Sequence, residues 1–187
     1  MDLKQFWDVI DTVQDKAEGG QGRMLEELSA LLGQLDTEDI MQYSLIFNEL
    51  HERADKMKLL AAAYAINGGC SDDCFDSFRR WLIFQGRDVY LAALKEPESL
   101  ADLGEELLAD TEFEDIHDVP MQAWCKKEGL SAKDFDAFEE ELDKYCLSDE
   151  TLEEIEAEIL YSDDMDEDWE EDDLPQMMPI LCKMFEN

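Results

Sequence analysis

The chain has 187 residues, of which 50 are Asp or Glu and 15 are Lys or Arg, giving a formal net charge of −35. A field of that sign repels phosphate backbones and anionic lipid, so it argues against direct binding of nucleic acid or of a membrane surface and favours a basic partner. Hydrophobic residues at 45% and aromatics at 10% suffice for a buried core, and the length suits one domain.

The charge is uneven along the chain. Residues 1–95 hold 17 acids and 10 bases, whereas residues 96–187 hold 33 acids and 5 bases. The opening MDLKQFWDVI has none of the zones of a signal peptide, and no run reaches transmembrane length. Five cysteines, an odd number, suit reduced thiols and hence a cytoplasmic location.

Phe6, Trp7, Ile10 and Val13 recur at helical spacing, which predicts an amphipathic helix stopped by Gly19, Gly20 and Gly22. Met24, Leu25, Leu28, Leu31, Leu32 and Leu35 form a second stripe, after which Asp36 or Thr37 offers an N-cap. Ile40, Tyr43, Phe47, Leu50, Ala54, Met57, Ala61 and Tyr64 make the longest pattern, with a break between Arg53 and Lys56 left open. It ends at Asn67-Gly68-Gly69, where glycine takes the left-handed cap conformation without a steric penalty.

Ser71 or Asp72 then caps a helix that the stripe Phe75, Phe78, Leu82, Val89 and Ala93 carries through Gly86, read as a kink or a close approach of another backbone. Ser99-x-x-Asp102 and Ser131-x-x-Asp134 read as capping boxes. Residues 110–119 read as connection, and Pro120 as the first turn of another helix. From Asp149 to Asp173 there are 15 acids in 25 residues and no base. Its second part, 162–173, reads as a solvated acidic loop, and the apolar tail 174–187 as docking on the core.

The fold expected is all-α, a compact multi-helix bundle in one domain spanning 1–187. It is organised around a helix pair joined by the Gly-Gly turn at Asn67–Asp73, with additional helices at 106–161.

Chemistry is sought first at that turn. Asp72, Asp73, Asp76, Arg79, Arg80, Gln85 and Arg87 bring carboxylates and guanidiniums together in sequence. They read either as a polar site or as a capped turn whose arginines pair with local acids. A phosphate cradle fails on charge, because Asp72 and Asp73 would face the anion and no P-loop lysine follows.

Cys70 and Cys74 stand four apart, Cys125, Cys146 and Cys182 are isolated, and neither His51 nor His117 lies at ligand spacing from a cysteine, so no metal and no cofactor is expected. Asp164, Asp166 and Asp168 imitate half a calcium loop, but Trp169 stands where the glycine is needed. No nucleophile has a marked base, and no catalytic residue is assigned. The acid-rich region itself reads as a solvated face or as a recognition surface with Met165 and Trp169 as apolar anchors.

FW-x-x-I at Phe6–Ile10, AAYAINGGCSDDCFDSFRRWLIFQGRDVY at Ala62–Tyr90 and PESLAD at Pro97–Asp102 resemble a bacterial family known only as domain of unknown function 4240. The resemblance covers roughly 1–105, and the tail from Trp169 to Phe185 is similar to longer members. It implies a mostly helical domain and carries over no catalytic residue. The function expected is a non-enzymatic acidic interaction or inhibitor protein, of the immunity type, that binds a basic protein. The alternative is an enzyme or small-ligand binder using Asp72, Asp73, Arg79 and Trp81. Nothing in the sequence indicates an oligomeric state.

Overall fold

A computed structural model describes residues 1–17, 20–132 and 134–185. Of the glycines expected to stop the first helix, Gly19 lies outside the described residues. The fold is all-α, with α1 (Leu3–Ala17), α2 (Gln21–Leu32), α3 (Thr37–Arg53), α4 (Met57–Asn67), α5 (Asp72–Ile83), α6 (Arg87–Lys95), α7 (Glu105–Leu108), α8 (Asp118–Glu128), α9 (Phe135–Leu142), α10 (Asp149–Glu158), α11 (Leu174–Met177) and α12 (Pro179–Phe185). Short 3-10 turns occupy Pro97–Leu103, Glu114–His117 and Glu171–Asp173. The chain divides into two compact units, Met1–Leu50 with Glu114–Glu156, and His51–Phe113 with Ala157–Asn187.

The first unit is built on amphipathic helices. Asp2 Oδ1 accepts from the amide of Gln5 and Gln5 Oε1 accepts from the amide of Asp2, each at 2.8 Å, so two orphan donors at the start of α1 are satisfied reciprocally. Asp36 caps α3, its Oδ1 accepting from Asp39 N at 2.9 Å. The inward stripe of α1 meets α2, and α2 meets α8. Phe6, Trp7 and Tyr43 form the aromatic centre, with Phe6 5.2 Å from Trp7 and 5.0 Å from Tyr43. Burial raises the pKa of the Tyr43 phenol, whose hydroxyl has no hydrogen-bond partner among the described residues.

Capping at 131–134 differs from the expectation: Asp134, not Ser131, is the N-cap of α9. The helix buries no side chain fully, although Phe138 lies edge-on to Trp124 at 5.7 Å.

In the second unit the central element is α4, whose sequence MKLLAAAYAIN is apolar nearly all round and is accordingly covered on several sides. Leu59, Ala61, Ala62, Ala63 and Ile66 are buried, and α5, α11, α12 and the turn at Pro97–Leu103 pack on it. From the apolar tail, Leu174, Met178 and Leu181 are buried.

Gly68 and Gly69, at φ 66° and 136°, turn the chain out of α4. A Cβ at either position would meet nothing within 4 Å, so it is backbone conformation that selects glycine there.

Three expectations are corrected by this unit. The stripe running through Gly86 belongs to two helices: α5 ends at Ile83, and Gly86, at φ 90°, is the N-cap of α6. Periodicity survives the break because residues on both sides of it face the same interior, including Ile83, Phe84 and Tyr90. At Ser99-x-x-Asp102 there is no capping box, because the segment is a 3-10 turn begun by Pro97 and ended by Gly104 at φ 80°. The stretch 110–113 is more than connection: Thr111 and Phe113 are buried, and the amide of Phe113 donates to the Ser77 carbonyl at 3.4 Å.

Candidate functional site

Three groups of polar residues stand out among the described residues of the second unit. The first is the turn between α4 and α5. Ser71 is the N-cap of α5, and its Oγ accepts from Cys74 N at 3.2 Å. Thr111 Oγ1 donates to Asn67 Oδ1 at 3.0 Å, tying the turn to the buried stretch after α7. Cys70 donates to the sulfur of Cys74 at 2.8 Å, and Asn67 Nδ2 donates to the same sulfur at 3.5 Å. Burial, then the contact with Cys74, raise the pKa of the Cys70 thiol. Asp72 and Asp73 are exposed in the first turn of α5, where the helix dipole favours them, and neither forms an ion pair with a described residue.

The second is centred on Asp76. Its carboxylate takes Arg79 Nη2 at 3.3 Å and, on the other oxygen, Arg80 Nη2. Arg79 also donates to the His51 carbonyl at 3.3 Å, reaches Asp55 at 3.7 Å and lies over the Phe75 ring, 4.9 Å from its centroid. His51 Nε2 stands 3.2 Å from both the backbone carbonyl and the carboxylate of Asp76. Both partners are acceptors, so this nitrogen carries the proton. Burial first, and the Arg79 charge second, hold the imidazole below its ordinary pKa.

The third place is the N-terminus of α4, where two lysines hold the acid-rich segment. Lys58 Nζ donates to Asp164 Oδ2 at 2.9 Å and Oδ1 at 3.1 Å, and lies 3.4 Å from Glu96. Lys56 Nζ meets Asp166 at 2.8 Å and stands over the Tyr161 ring, 4.8 Å from its centroid. An orphan amide of the first helical turn, Lys58 N, donates to the Met165 carbonyl at 2.9 Å. Trp169 Nε1 donates to the Met57 carbonyl at 2.8 Å, with its ring edge-on to Tyr64 at 5.6 Å. Burial disfavours the Lys58 ammonium, but Asp164 and Glu96 outweigh it and raise its pKa. Lys58, followed by Ser162, holds the Asp164 carboxyl below the usual range.

The residues singled out in sequence therefore separate. Arg79 joins Asp76 and Asp55, Trp81 is buried against Phe78, and Arg87 pairs with Glu158 at 2.9 Å. Asp164 and Asp166 go to lysines, Asp168 is exposed, and Met165 is buried. Asp72, Asp73, Arg79 and Trp81 share no hydrogen bond or ion pair among the described residues. Lys56, Lys58 and Thr111 were missed, since Asp166, Asp164 and Asn67, which they meet, lie 110, 106 and 44 positions away. Among the described residues no three His, Cys, Asp or Glu side chains stand where they could hold a metal ion, and no helix is long and apolar enough to cross a membrane.

These contacts define an all-α protein whose buried and half-buried cations hold its own acids, leaving carboxylates as its dominant exposed charge. The chain belongs to the family described as Protein of unknown function (DUF4240), whose model matches residues 1–126. No curated protein and no solved structure matches it.

Proposed function

We propose that this is a non-enzymatic interaction protein, of the inhibitor or immunity type, that covers a basic protein through its carboxylate surface. The observation that carries this reading is the exposure of a large excess of acids over bases among the described residues. Asp149, Glu150, Glu153 and Glu154 line the solvent side of α10, and Asp136, Glu139, Glu140 and Asp143 stand exposed along and just after α9. Like charges three or four apart on a helix each cost about 0.2–0.5 kcal/mol. A basic partner relieves that cost, gains encounter rate from the field, and is released by salt. The lysine nearest these acids in sequence, Lys144, is engaged by Glu141 at 2.7 Å.

The test is capture by the immobilised full chain from a lysate of its own cell. A protein of pI above about 9 should bind and elute as NaCl rises from about 0.1 to 0.5 M. Replacing Glu150, Glu153 and Glu154 together by Lys should weaken capture at least tenfold. A captured set without a basic protein, or binding indifferent to salt, refutes the reading.

A further inference from the structure

We propose that Cys70 and Cys74 are a reversible disulfide site, closed by exchange with a low-molecular-weight disulfide. This inference is independent of the partner-binding reading. Its basis is the placement of two thiols by the turn. Cys70 precedes the N-cap Ser71 and Cys74 is the third residue of α5. The N-cap turn at Ser71, whose Oγ accepts from Cys74 N, folds Cys70 back over the first turn of α5, so that the sulfurs stand 2.8 Å apart. A disulfide is about 2.05 Å long, so closure needs a shift of roughly 0.8 Å. Both thiols are half-buried, within reach of a small reagent and recessed from a large one.

The two sulfurs are not equivalent. Cys74 accepts hydrogen bonds from Cys70 Sγ and from Asn67 Nδ2, and it sits where the dipole of α5 favours a negative charge. Cys70 is a donor in that pair and keeps its proton, held by burial and by Cys74, with Glu112 and Asp72 adding negative charge nearby.

Cys74 is therefore the attacking group, once its proton has passed to water. It forms a bond to one sulfur of R–S–S–R and expels one R–S⁻, leaving a mixed disulfide. Cys70 then loses its proton to water and attacks the Cys74 sulfur, expelling the second R–S⁻. Two protein thiols are oxidised to one disulfide and one small disulfide is reduced to two thiols. Excess dithiol runs the exchange backwards. The acidic surface repels anionic disulfides, so the natural reagent class is a neutral or cationic one.

The test uses the full chain and 2-hydroxyethyl disulfide, which is neutral. The native protein and the protein unfolded in urea are each equilibrated with mixtures of this disulfide and its thiol, then acid-quenched, alkylated and digested with trypsin. Leu59–Arg79 contains Cys70 and Cys74 and no other cysteine. In the native protein this peptide should carry an internal disulfide, half-formed at an oxidant-to-thiol ratio at least about tenfold lower than in the unfolded chain. With Cys70→Ser, the mixed disulfide should accumulate on Cys74. Equal ratios for native and unfolded chains overturn the proposal. So does a persistent mixed disulfide in the wild-type protein, or the absence of an adduct on Cys74 in the variant.

Discussion

At the residue scale, His51 is the titrating group whose surroundings are most closely specified. Its side chain is 12% exposed, its Nε2–H faces Asp76, and its own carbonyl accepts from Arg79. Adding a proton there would place a second cation beside Arg79, against the Asp76 carboxylate that Arg79 and Arg80 already share. Burial and Arg79 thus lower the pKa below 6.5 in the folded protein. Between that lowered value and 6.5 the unfolded chain binds more protons, so stability falls as pH drops through this window and levels off below it. A whole proton would give about 1.4 kcal/mol per pH unit, and His51 should supply a fraction of that. Urea unfolding at pH steps from about 7 to 5 should therefore show a steeper loss for the wild type than for His51→Gln. Parallel curves would mean that the imidazole titrates alike in both states.

At the scale of elements, two lysines at the start of α4 determine how the acid-rich segment lies. Lys58 is the anchor: its side chain is 8% exposed, whereas that of its partner Asp164 is 48% exposed. The shifts of the two groups agree in direction, since each favours the other's charged form. Lys58→Met keeps the apolar stem and removes the ammonium. It should cost about 1–2 kcal/mol, discounted for the exposure of Asp164. Hydrogen exchange is the sharper measurement: the amides of Met165 and Glu167, which donate to Ser162 and Asp164 carbonyls at 3.2 Å, should exchange about tenfold faster. Unchanged protection there would show that Trp169 and the backbone bond to Lys58 hold the segment without the ammonium.

These same elements show what was legible in sequence. Helical class, a cap at Ser71 or Asp72 and the left-handed end of α4 follow from local spacing and glycine chemistry, so they were readable. The separation of α5 from α6 was not, because a stripe of buried residues continues across Gly86 even though the backbone does not. The two clusters differ in the same way. Asp76 with Arg79 and Arg80 is a matter of helix spacing and could be seen. The grip of Lys58 on Asp164 spans 106 positions and had no local signal.

At the scale of the whole molecule, the net charge of −35 decides how stability answers to salt. Two opposed effects compete. Exposed ion pairs such as Lys4–Asp8 at 2.7 Å contribute little and weaken on screening. Like-charge repulsion is small per pair, about 0.2 kcal/mol in water at 20 Å, but the number of such pairs grows with the square of the net charge while ion pairs grow only in proportion to the 15 bases. Repulsion therefore wins, and the folded state, which holds the carboxylates closer together than the unfolded chain does, gains from screening. The urea midpoint should rise as NaCl goes from about 10 to 300 mM, over which the Debye length falls from about 30 Å to below 8 Å, by an amount equivalent to about 1–3 kcal/mol. Tetramethylammonium chloride should give the same gain, since screening does not depend on which cation supplies it. A midpoint that stays level or falls would show that local pairs, not the summed field, govern the response. A gain confined to one cation would point instead to an ion held at a particular place on the carboxylate surface.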